Sequence, residues 1–269
     1  MRTIRRLLAA FALLAVCFAA VPARASLGTN FSDQWWVPAE SGWGASVHQQ
    51  RDTLFVIFFV YGPDAKPVWY SGAAAYQYNS GNPLFAGDLY QTTGPWFGGD
   101  FNPASVSRVK VGTIQFTATS VDTATLTYSV DGTTVVKSIE RQAPWRYEDF
   151  TGEYYGGLDY SASGCSDPTS NGYFEQFGPI HVDHSLVNSM TLVAQSSAGT
   201  CTFAGTYTQA GHMGAVTGTF DCGGGVAGPM QLYEMERTGS GMTARFAAQS
   251  GSCTVAGRLG GVERESPRN

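Results

Sequence analysis

The densest group of chemically useful side chains lies early in the chain, in Trp35-Trp36-Val37-Pro38-Ala39-Glu40-Ser41-Gly42-Trp43-Gly44. Three tryptophans around one glutamate can form a flat apolar platform with a single acceptor, an arrangement suited to sugars and other amphipathic molecules. Trp69, further along the chain, could join it. The same residues have a structural use, because Trp35 and Trp43 could plug a barrel end while Glu40 caps a turn. Each tryptophan taken alone fits that use better, whereas the cluster as a whole fits a site. The candidate ligand residues are therefore Trp35, Trp36, Glu40, Trp43 and Trp69.

Catalytic arrangements are sparse. Ser41 sits in A-E-S-G-W, which lacks the first glycine of a nucleophile elbow. Glu40 and His48 could act as an acid and base pair, but they stand eight residues apart across a strand with no third partner. In His181-Val182-Asp183-His184, strand geometry puts His181 and Asp183 on one face and His184 on the other, a poor set of metal ligands. His212 falls in a predicted turn and is expected to face solvent. With no phosphate loop or dinucleotide fingerprint, no cofactor is expected.

The element that organises the chain is the nine-residue run Thr53 to Tyr61, TLFVIFFVY. β-Branched and aromatic types dominate it and turn-formers bracket it, so it reads as a strand. Leu54, Val56, Phe58 and Val60 point one way and Phe55, Ile57, Phe59 and Tyr61 the other. Both faces are expected to be covered, the second by another domain, a partner subunit or an apolar ligand. Around this run the first half breaks into strands at 42 to 49, 66 to 77, 84 to 92, 109 to 118, 122 to 130 and 133 to 141, with Phe31 to Val37 as an eighth. Asp131-Gly132 suits a two-residue hairpin turn. The connection 93 to 108 is long enough to be a functional loop, or a surface loop anchored by Trp96 and Phe97.

The start of the chain has the pattern of an export leader. Arg2, Arg5 and Arg6 precede an apolar stretch from Leu7 to Ala20, and Ala23-Arg24-Ala25 supplies the small-x-small site. Residues 1–25 are expected to be removed, leaving Ser26 first; a lipoprotein reading at Cys17 meets Val16 where a small residue is wanted. The leader carries four arginines and no acids, so 16 basic against 21 acidic residues becomes twelve against 21, a net charge of −9. An acidic chain with three lysines is a poor binder of nucleic acid or of anionic membranes. No later stretch reaches the ~18 apolar residues of a membrane helix. A transmembrane barrel would need an apolar outer band on every strand, and several strands here show threonine instead.

Beyond a charged and aromatic linker at 143–150, strands are expected at about 151 to 160, 179 to 184, 188 to 196, 200 to 209, 212 to 222, 226 to 237, 241 to 249 and 252 to 264. A turn at Gly211-His212 sets Tyr207 against Val216, Phe203 against Phe220 and Cys201 against Cys222. A turn at Ser250-Gly251 sets Val255 against Phe246 and Leu259 against Met242. If the first and last strands of this half meet to close a barrel, Cys165 and Cys253 become neighbours. Of the three pairings open to four cysteines, the preferred one is Cys201 with Cys222 and Cys165 with Cys253. Disulfides also suit an exported chain better than metal chemistry does.

The expected fold class is all-β, two tandem antiparallel up-and-down β-barrels or strongly curved sheets, in domains 26–142 and 151–265. In strand number and order this resembles the lipocalin and avidin barrels, an analogy of fold only. The stretch WWVPAESGWG also resembles a motif of secreted bacterial proteins, as do VWYSG (Val68 to Gly72), DLYQTTGP (Asp88 to Pro95) and IERQ (Ile139 to Gln142). That resemblance implies a family and not an activity. The expected function is an exported, non-enzymatic binding protein, secreted or periplasmic, with a small-molecule or carbohydrate ligand. The alternatives are a hydrolase or isomerase using Glu40, and a structural envelope protein with no small ligand.

Overall fold

The computed structural model describes residues 28–78, 80–142, 148–185 and 188–264. The expected leader lies outside the described residues, as do five positions of the linker. The first half runs β1 (Asp33–Trp36), β2 (Gly44–Gln50), β3 (Thr53–Tyr61), β4 (Pro67–Tyr76), β5 (Leu84–Thr93), β6 (Ser107–Ala118), β7 (Thr123–Val130) and β8 (Thr133–Arg141). The second runs β9 (Gly152–Ser163), β10 (Gly172–Ser185), β11 (Ser189–Ser196), β12 (Gly199–Ala210), β13 (Met213–Asp221), β14 (Ala227–Thr238), β15 (Gly241–Ser250) and β16 (Cys253–Glu263). Each set of eight forms a closed antiparallel barrel in which every strand pairs with its neighbours in sequence and the last returns to the first. Closure removes the exposed strand edges that an open sheet would have to protect.

The two closures differ in length. β1 meets β8 through two pairs, Trp35 with Arg141 and Trp36 with Glu140. β9 meets β16 along ten consecutive pairs, from Ser163 with Thr254 to Tyr154 with Glu263. Each barrel has its own core. In the first, Phe31 packs edge-on against Phe85, while Trp35 meets Phe116 at 5.1 Å. Alternation decides which side chains enter: Ala124 and Leu126 of β7 are buried, and Thr123, Thr125 and Thr127, which alternate with them, face outward.

The Asp131-Gly132 turn forms as expected, with both residues at positive φ between Val130 and Thr133. The β12–β13 register matches the expected one, Phe203 opposite Phe220 and Tyr207 opposite Val216. At the β15–β16 hairpin the expectation is corrected. The turn is Gly251-Ser252, so Val255 faces Ala248 and Leu259 faces Ala244, two residues from the expected partners. A slip of two preserves every side chain's face, so the apolar pattern could not detect it. β10 is also longer than expected, running Gly172–Ser185 where a strand was expected at 179 to 184. Pro179 is tolerated there because the ladder to β11 begins only at Ile180.

The largest correction concerns β3. Its inner residues Leu54, Val56 and Phe58 are buried as expected, but Phe55, Phe59 and Tyr61 are exposed on the outer wall. In a closed barrel one face of each strand is lumen and the other is wall, and no described residue is packed over this stretch of wall. Trp96 and Phe97 do not anchor their loop either; both are among the most exposed large hydrophobic side chains of the described residues.

Candidate functional site

The lumen of the second barrel is filled at one end and hollow at the other. At the filled end Phe150 enters as a cap, in one buried cluster with Tyr154, Tyr207, Met235 and Met242. The Tyr154 hydroxyl donates to the Phe150 carbonyl at 2.8 Å, and the Phe150 N–H donates to His184 Nδ1 at 3.4 Å. That bond needs an unprotonated Nδ1, and burial does push His184 below its ordinary pKa.

At the other end, the inward residues of β9, β12, β13, β15 and β16 surround a cavity of about 550 Å³, lined by Leu158, Tyr160, Phe203, Phe220, Phe246 and Val255. The rings line its wall as neighbouring aromatic pairs: Phe203 is 6.3 Å from Phe220 and 6.2 Å from Phe246, and Tyr160 is 6.2 Å from Phe246. One polar pair projects among them. Gln176 Nε2 donates to the Tyr160 hydroxyl oxygen at 3.0 Å, and the Ser196 hydroxyl donates to Gln176 Oε1 at 3.3 Å. Burial raises the Tyr160 pKa, so the phenol keeps its proton, and among the described residues none accepts it. The rim is stapled. Cys201 is bonded to Cys222 and Cys253 to Cys165, the connectivity that register argued for.

A larger cleft of about 650 Å³ opens on the outer wall where the second barrel meets the N-terminal segment, with Tyr155, Phe177, Glu234, Glu236, Arg245 and Arg258 around it. Its charges are largely spent on one another. Arg245 Nε lies 3.0 Å from Glu234 Oε2, and Glu236 Oε1 lies 3.0 Å from His212 Nε2. The mouth of the second barrel is the more enclosed and more aromatic of the two, the usual character of a small-molecule site.

The five candidate residues of the first barrel are not gathered into one surface. Trp35 is wholly buried, its Nε1 donating to the Phe31 carbonyl at 3.0 Å, so it faces no cleft. Trp36 lies on the opposite face of β1, with an indole N–H that is buried and has no acceptor among the described residues. Trp69 stands on the outer wall of β4 opposite Phe59. Only Glu40 and Trp43 come together: Trp43 Nε1 donates to Glu40 Oε2 at 2.9 Å, and Lys137 Nζ binds both oxygens at 2.7 and 2.8 Å. Lys137 first and Trp43 second hold the Glu40 carboxyl below the usual range. His48 contacts Ser46 instead, at 3.3 Å.

His181 is paired with Glu153 at 2.6 Å, while His184 serves the Phe150 cap. Among the described residues no three His, Cys, Asp or Glu are grouped to hold a metal ion. His212 is not simply in solvent, as its turn position suggested; it is held between Asp33 and Glu236 where the two barrels meet.

Sequence reasoning passed over Tyr160, Gln176 and Phe246. A signal did exist, since placing Phe203 opposite Phe220 already put two rings on the inner face. What pattern cannot show is whether inner rings meet or leave a space. No family model, curated protein or solved structure matches the chain.

Proposed function

We propose that this is an exported binding protein that holds an apolar or amphipathic small molecule in the mouth of its second barrel. The observation that carries the reading is the ring of Tyr160, Phe203, Phe220 and Phe246 around about 550 Å³ of space, with a phenol hydroxyl that has no acceptor among the described residues. Apolar walls supply affinity and a lone polar pair fixes orientation, so the fitting ligand has a hydrocarbon body and one hydrogen-bonding head. A free sugar is a poorer fit, because most of its hydroxyls would lose water without a partner. Export is supported by the arginine-flanked leader pattern and by the two disulfides, which persist in oxidising compartments.

The hydrolase or isomerase alternative rested on Glu40. A general acid needs a carboxyl raised toward neutrality, and Glu40 is shifted the other way with Lys137 on both of its oxygens.

The test is titration of the purified protein with an environment-sensitive apolar fluorophore and with amphiphiles of graded chain length. Saturable one-to-one binding is expected, and Ala248→Trp, which fills the mouth, should abolish it while the circular dichroism stays native. Absence of binding across the series, or binding untouched by Ala248→Trp, would count against the proposal.

A further inference from the structure

The outer wall around β3 is a contiguous apolar field. Phe55, Phe59 and Tyr61 are 46%, 55% and 59% exposed, and Trp69 is 47% exposed. Register makes them neighbours: Phe59 lies between Gly44 and Trp69, Ile57 between Ser46 and Ser71, Phe55 between His48 and Ala73, and Tyr61 beside Pro67. Single apolar residues on a surface are ordinary, but a patch of this extent marks an interaction site. Charged side chains stand at its margins, among them the pairs Lys110 with Asp88 at 2.7 Å and Lys66 with Asp64 at 3.2 Å.

We infer that this wall of β2 to β4 is a self-association face, covered by the same face of a second copy of the chain. Charge supports this occupant. Two copies of a chain with formal charge −5 repel each other overall, and the field around Phe59 is a surface they can bring together without opposing like charges. Area supports it too. Four rings of roughly 200 Å² each, about half exposed, contribute ~400 Å². The 94–106 loop leaves β5 at the end of the barrel where Tyr61 and Pro67 lie. Its Trp96 and Phe97, 71% and 92% exposed, can add ~300 Å². The sum approaches the ~800 Å² per partner of a standard stable interface.

An apolar centre with a polar rim is also the usual anatomy of such contacts. Two sheet faces packed ~10 Å apart about a two-fold axis use the patch completely, so association stops at the dimer. A bilayer fits less well, since the margin offers no surplus of cations and the partly exposed Ser71 lies in the middle of the field.

Sedimentation velocity between about 1 and 100 µM should show twice the chain mass at the upper end. Phe59→Glu combined with Trp69→Glu should weaken association at least 100-fold, leaving monomer throughout with native circular dichroism. Val136→Glu, on the exposed face of β8 and outside the field, should leave the dimer intact. If the double variant misfolds, Ala73→Arg tests the same face with one substitution at an exposed position beside Phe55. A wild-type chain that is monomeric at 100 µM, a dimer that survives these charges, or a monomer that floats with phosphatidylcholine vesicles would each overturn the inference.

Discussion

Oδ2 of Asp33 is bound twice by His212: the ring Nδ1 lies 2.8 Å away and the backbone N–H donates to the same atom at 2.9 Å. Asp33 opens β1 of the first barrel, and His212 sits in the β12–β13 turn of the second. The other ring nitrogen reaches Glu236 Oε1 at 3.0 Å, and Arg141 Nη1 approaches Asp33 Oδ2 at 3.0 Å. Burial is the largest single influence on His212 and opposes its charge, but the bonds to Asp33 and Glu236 together outweigh it and lift its pKa to about 9. At this point the barrels are joined by a charged clasp.

The clasp should make stability depend on pH at both ends. His212 has a raised pKa, so its contribution is complete below the ordinary value near 6.5 and is lost as pH climbs through about 9. Burial alone would raise Asp33 and Glu236, yet their bonds to His212 hold both below their ordinary values, so their contribution is lost as pH falls through those depressed values. The melting temperature should be level between about pH 5 and 6.5 and fall on either side. The alkaline loss is at most about 3 kcal/mol, and less in practice because a third of the ring is wet. Calorimetry on His212→Ala should flatten the alkaline limb; a wild-type melting temperature that stays constant from pH 6 to 10 would refute the clasp.

Arg141 is the most demanding residue of the first barrel. Its side chain is fully buried against Trp35, and it donates to the carbonyls of Val121 at 3.0 Å and Asn30 at 2.6 Å as well as to Asp33. Arg141→Ala orphans those acceptors and Asp33→Ala leaves a buried cation with less compensation, so each should cost about 3 to 5 kcal/mol. Replacing both should cost less than the sum of the two. Urea unfolding followed by tryptophan fluorescence measures all three.

The two bridges should contribute unequally. Cys201 and Cys222 are 21 residues apart and Cys165 and Cys253 are 88 apart. The chain-entropy relation gives about 3 and about 4.5 kcal/mol. Paired serine substitutions at each bridge, compared by denaturant midpoint, should rank in that order, and both should weaken ligand binding because both bridges frame the mouth.

The hydroxyl of Tyr160 offers a finer probe. Tyr160→Phe removes a donor that lines the cavity while keeping its shape, so a ligand with a polar head should lose about 5- to 10-fold in affinity and a pure hydrocarbon should lose little. Isothermal titration of such a matched pair decides it.

Much of the fold was legible because alternation is a local property. Thr123 to Val130 declared its inner face, Asp131-Gly132 its turn, and the register around Gly211-His212 placed Cys201 beside Cys222. The rest depended on contacts remote in sequence. Nothing near His212 announces that Asp33, 179 positions earlier, will hold it. Trp35, Trp36 and Trp43 look like one cluster in the string, but successive strand positions send Trp35 into the core and Trp36 outward. The cavity was illegible for a third reason, since empty space has no residue of its own.

The unequal seams give the two halves different weak points. With two pairs holding β1 against β8, the first barrel has a zipper that can be undone from its leading edge, and its amide protons near Trp36 should trade with deuterium early. The ten-rung seam between β9 and β16 has no such starting point. Under a pulling force or a protease the molecule should fail from the front, leaving the hollow half standing.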